Sequence, residues 1–124
     1  MLSISVSVSE FQGGKVMNFF NVKELPKKKI KEGIRMCSVY LKNVMLTYFE
    51  FEQGQEIPPH EHPHEQITFI LEGEMQFRLG DEIKKIKAGE GVTVPSNMKH
   101  SVYAITPVKV VDAWNPVRED YVVS

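Results

Sequence analysis

The chain has 124 residues, of which 42% are apolar and 25% charged, with 15 basic and 16 acidic side chains and a formal net charge of −1. This length and composition describe one globular domain with a single core. They exclude a broadly basic face for nucleic acid, and no apolar stretch is long enough to span a bilayer.

Leu2 to Val8 alternate strictly between apolar residues and serine, a period-two pattern that predicts a strand, before Gly13-Gly14 interrupts it. Residues 1–16 therefore read as an N-terminal extension carrying an edge strand able to pair with a second subunit, and residues 17–124 as the domain proper. Met17 is a candidate alternative start. The chain does not open with a basic region followed by a continuous apolar block, and Cys37 is its single cysteine. Both features point to a reducing, cytoplasmic setting, with Cys37 a small buried apolar residue. The Lys27-Lys28-Lys29-Ile30-Lys31 run, flanked by Glu24 and Glu32, reads as a solvated loop, and Lys23 to Ile34 leaves room for a short helix before Gly33.

From Val39 onward the chain reads as short strands separated by turns. Val44 to Glu52 is rich in aromatic and β-branched residues, and Ile67 to Leu71 is an apolar strand closed by Gly73. Met75, Phe77 and Leu79 alternate with polar residues up to a Gly80-Asp81 hairpin, followed by Ile83 and Ile86. Val92 to Val94, Ser101 to Ile105 and Val108 to Trp114 complete the set. Many short strands, glycine-marked hairpins and little helix predict an all-β sandwich or barrel.

Three of the four histidines fall within His60-Glu61-His62-Pro63-His64. On a strand, residues two apart share a face, so His60 and His62 can converge on one ion. Pro58-Pro59 stiffens the approach, while Pro63 ends regular pairing and lets the chain bring Gln66 back towards the same point. The fuller pattern runs Gly54, His60-x-His62, Gln66, Gly73, then Gly89, Pro95-x-Asn97 and His100.

In order and spacing, residues 54 to 104 resemble both motifs of the cupin family. The resemblance implies an antiparallel jelly-roll (double-stranded β-helix) barrel holding one divalent metal ion inside, bound by His60, His62, Gln66 and His100. Zn, Ni, Mn and Fe all suit such a donor set. Gln66 stands where the family usually has Glu, which leaves the ligand set neutral and favours an anionic substrate on the ion. Asn97 replaces a Gly and can keep the left-handed turn. His64 shares parity with His60 and His62 and is an alternative ligand to Gln66, or else a rim residue.

The tail adds Asp112, Trp114 and Arg118. Asp112 and Trp114 share a strand face, and Arg118 follows at the mouth, where a guanidinium can clamp a carboxylate. The plainer alternatives are a core Trp114 and a surface ion pair of Arg118 with Glu119 or Asp120. Together, the His-x-His-Pro-His-Glu-Gln run and this tail are similar to the small cupins of pectin and alginate breakdown, which open 4,5-unsaturated monouronates. That resemblance implies catalytic or substrate-binding roles for Asp112, Trp114 and Arg118, a small anionic sugar as substrate, and a homodimer. Two other functions stay open. One is a dioxygenase-like metalloenzyme using an apolar pocket of Phe49, Phe51, Phe69, Met45 and Met75. The other is a non-catalytic binder in which the metal anchors a ligand.

Overall fold

The structure, a computed structural model, describes residues 18–123. The strand expected at Leu2 to Val8 and the extension 1–16 lie outside the described residues. After a 3-10 turn at Val22–Glu24, ten strands follow among the described residues: β1 (Lys28–Lys31), β2 (Ile34–Tyr40), β3 (Met45–Phe51), β4 (Glu56–His60), β5 (Glu65–Glu72), β6 (Glu74–Leu79), β7 (Glu82–Lys87), β8 (Gly91–Val94), β9 (His100–Ala104) and β10 (Val108–Asn115). A second 3-10 turn, Glu119–Tyr121, comes after β10.

Two antiparallel sheets, ordered β1-β2-β3-β10-β5-β8 and β4-β9-β6-β7, form the all-β architecture that the strand patterns predict and the jelly roll that the family resemblance implies. Period-two patterning decides which side chains enter the space between them. On β3, Met45, Thr47, Phe49 and Phe51 are buried, and on β10 so are Val108, Val110, Asp112 and Trp114. Both sheets contribute to one core, with Phe49, Phe51, Ile70 and Val110 from the first meeting Met75, Phe77 and Ile86 from the second. Among the described residues, no helix is long and apolar enough to cross a membrane.

Three expectations need correction. No helix forms between Lys23 and Ile34. A 3-10 turn ends at Glu24, and the lysine run forms β1, paired with β2 through a Glu32-Gly33 turn in which Gly33 has φ +86°. Pro26 deprives a helix of a donor there, and glycine supplies the positive φ that the tight turn requires. The lysines are indeed mostly solvated, but along a sheet edge, where charge discourages pairing with another chain. Strands therefore begin before Val39. Third, Phe69 lies on the outer face of β5 and is about half exposed, so it does not line an interior pocket.

Gly73 joins β5 to β6 at φ +90°, and a Cβ added there would lie 2.1 Å from the Pro107 carbonyl oxygen. Gly73→Ala is therefore expected to destabilise the fold by at least about 2 kcal/mol, through strain and backbone displacement together. Urea unfolding of the two proteins side by side measures the difference.

Candidate metal centre and acid pocket

His60 ends β4 and lies directly across from His100, the first residue of β9. The register slips between Ile57 and His60, where Pro58-Pro59 supplies no amide donors. This irregularity lets Ile57 and His60, three residues apart, both line the interior. His62 lies beyond the end of β4, so shared strand parity is not what brings it to His60. A turn does so instead. Asn97, at φ 62°, donates its backbone N–H to the His62 carbonyl at 2.7 Å, and Ser96 Oγ donates to the Pro63 carbonyl at 2.6 Å. The left-handed conformation expected of Asn97 is present and has a direct use.

The ligand atoms of His60, His62 and His100 all lie within 4.8 Å of one another. Each ring has its Nδ1 on a backbone carbonyl: His60 on Pro58 at 2.9 Å, His62 on His64 at 3.0 Å, and His100 on Met98 at 2.8 Å. Nδ1–H donation to these carbonyls leaves each Nε2 as a lone pair, the state in which imidazole binds a metal. Burial lowers the pKa of His62, and it lowers that of His100 to about 4, against the opposing Met98 bond. Both are neutral at pH 7.

Gln66, from β5 of the other sheet, closes the group, with Oε1 3.1 Å from His62 Nε2 and Nε2 donating to Thr68 Oγ1 at 2.8 Å. With His62 neutral and its proton on Nδ1, two acceptors face one another there. A cation between them relieves that opposition. His100 Nε2 is buried without a partner, which costs about 1–3 kcal/mol unless something binds it. The donor set therefore fits a divalent metal ion. His64 is not in the cluster; its ring packs edge-on to His62 and Trp114, with centroids 5.6 and 6.5 Å away.

Beside this group lies Asp112, buried on β10. Its neighbours in register are Thr47 on β3 and Thr68 on β5. Thr68 donates to one carboxylate oxygen, with Gln66 Nε2 3.4 Å from the same atom, and Thr47 stands 3.5 Å from the other. Burial raises Asp112 to about 6 despite these donors. Trp114 donates Nε1–H to Thr47 Oγ1 at 2.9 Å, so this core tryptophan also orients a group that contacts Asp112. The sequence reading missed Thr47 and Thr68. Their signal was a polar residue at inward parity in an otherwise apolar alternation.

Arg118 lines the same interior cavity of about 40 Å³, along with His60, His100, Asp112, Trp114 and Tyr121. It also makes the ion pair with Asp120 expected of it, at 2.7 Å. Its guanidinium lies 3.9 Å from the Tyr121 ring centroid and 4.9 Å from that of Trp114, a cation–π arrangement. Of the apolar pocket expected for a dioxygenase, Phe49, Phe51 and Met75 line this cavity, whereas Met45 packs in a separate cluster with Tyr40 and Trp114.

A family model described as Cupin domain matches residues 47–114, more than half of the chain. Among solved structures, KdgF from Halomonas sp. aligns with a TM-score of 0.79 at 26% identity, covering 83% of this chain and 96% of its own. An RmlC-like cupin from Shewanella frigidimarina NCIMB 400 aligns with a TM-score of 0.81, also at 26% identity, covering 85% and 96%. A Thermotoga maritima protein described as a predicted oxalate decarboxylase shares the fold, at 19% identity and a TM-score of 0.70, covering 78% and 97%. No curated protein matches the chain.

Proposed function

The chain belongs to the cupin family, and on that premise we propose that it is a metal-dependent enzyme that opens the ring of a 4,5-unsaturated monouronate to a linear keto sugar. The observation that carries this proposal is one shared interior: His60, Gln66 and His100, the buried Asp112 carboxyl and Arg118, whose Nη1 has no hydrogen-bond partner, line a single cavity, with His62 in the same histidine cluster. The similarity to KdgF, at 26% identity over most of both chains, supports it.

His60, His62, His100 and Gln66 would hold the ion, which when bound supplies Lewis-acid polarisation of substrate oxygens. Every other role belongs to the chain. Arg118 orients the substrate carboxylate. Trp114 packs against the sugar. Ring opening leaves an enol, and its conversion to the ketone needs a proton taken from oxygen and one delivered to carbon. Asp112 is placed to move them, with a pKa raised to about 6, near working pH.

The test is elemental analysis followed by incubation with an unsaturated monouronate, tracking loss of its conjugated absorbance above the spontaneous rate. Oxygen uptake with an aromatic or diketone substrate would instead identify a dioxygenase, and binding without turnover in the metal-loaded protein would identify a carrier.

Gln66 gives a second handle. A glutamate in its place would bring a negative charge to the ion but lose both amide hydrogens and oppose Asp112. Gln66→Glu is expected to bind metal more tightly and to turn over about tenfold more slowly or worse. Undiminished turnover would mean that the amide serves Asp112 in no way.

A further inference from the structure

The Arg118 guanidinium has two edges in different use. Its Nε and Nη2 both donate to Asp120, at 3.2 Å to Oδ1 and 2.7 Å to Oδ2, the paired geometry that suits a carboxylate. Nη1 is the nitrogen left over, buried and without a partner. The side chain of Arg118 is 12% exposed and that of Asp120 62% exposed, so the pair runs from solvent into the interior. Lys28 Nζ donates to the Asp120 carbonyl at 3.0 Å, tying this segment to β1.

We infer that Asp120 is a positioning residue: it grips the outer edge of the Arg118 guanidinium so that Nη1 is presented inward to a carboxylate oxygen of the ligand. This rests on the proposed function only for the choice of a uronate as ligand. A free arginine side chain rotates about several bonds, and a buried donor must point one way to be useful. Asp120 limits that rotation by holding two of the three nitrogens. An ion pair with one exposed member contributes little to stability, so the value of this one lies in orientation.

The inference makes a prediction of unusual sign. By charge alone, neutralising an acid beside an anion site strengthens anion binding. Loss of positioning weakens it. Calorimetry on the metal-loaded protein, with galacturonate as a non-reacting probe and galactose as its uncharged counterpart, separates the two. Asp120→Asn is expected to weaken galacturonate binding about tenfold, leaving galactose binding and melting temperature unchanged. Asp120→Glu should recover part of the loss, and Glu119→Gln, which removes a neighbouring charge, should produce none. With the unsaturated uronate, Asp120→Asn should raise KM more than it lowers kcat. Tighter or unchanged galacturonate binding in Asp120→Asn would overturn the inference, as would an equal loss for both sugars. Absence of turnover in the wild type, with the galacturonate contrast intact, would overturn the proposed reaction and leave the role of Asp120 standing.

Discussion

Asp112→Asn is expected to lose turnover by a factor of about 10² to 10⁴ while keeping its metal and gaining stability when metal-free at neutral pH. The two effects have one cause. Asp112 is buried among Thr47, Thr68 and Gln66, and burial raises its pKa from 3.8 to about 6. The folded state therefore binds this proton more tightly than the unfolded chain does. The stability contributed by the protonated group is fully present below about 3.8 and is lost as pH rises through about 6. At neutral pH, a shift of that size corresponds to about 3 kcal/mol. An amide of the same shape carries no such burden, and the threonine hydroxyls can donate to it or accept from it. Urea unfolding of chelator-treated protein at pH 4 and pH 7 is the measurement: the variant's advantage should be small at the lower pH and larger at the higher. An advantage that does not change with pH would show that the buried carboxylate is not the cause. Loss of metal from the loaded variant would place Asp112 among the ligands and remove it from proton transfer.

His60→Ala and His100→Ala are each expected to weaken metal binding by at least about 100-fold. Even partners that only support a ligand cost 10- to 100-fold, and these two would be ligands themselves. The variants differ usefully in their surroundings. His100 is almost fully buried and stacks parallel to Phe77, with centroids 6.0 Å apart, so its truncation also leaves a hole and lowers the melting temperature. His60 is less buried, and its loss affects packing less. Metal stoichiometry by elemental analysis is the first readout. The second is the rise in melting temperature on adding metal, which for intact protein reaches about 2.7 kcal/mol of stabilisation at 100 times Kd and should be nearly absent from both variants. Full metal occupancy in either would refute the shared centre.

Of the fold, most was legible from local rules. Short strands with β-branched and aromatic residues, such as β3 and β10, are a property of consecutive residues and were readable without any partner strand. The nearly continuous apolar run of β5 instead hid its parity, so Phe69 was expected inside and Ile70 is the residue buried there. Turns after β5 and β6 were visible for the same reason, since Gly73 and Gly80 supply conformations that their own position demands. The lysine run failed this test. Its composition describes solvation correctly, but its pairing with β2 depends on a neighbour that period and charge do not reveal.

What the sequence determined by itself was the family and the types of side chain offered: imidazoles and an amide at set intervals, followed by an acid, an indole and a guanidinium. Their meeting was decided only by tertiary structure, because strand pairing sets side by side residues that are far apart in the chain. His60 faces His100 across two strands, and Thr47, Asp112 and Thr68 line up across three. His62 reaches the group through a turn held by Asn97, where simple alternation would have kept it on a strand. Burial, the product of that closure, then makes Asp112 a carboxyl with a pKa of about 6 and leaves one nitrogen of Arg118 without a partner.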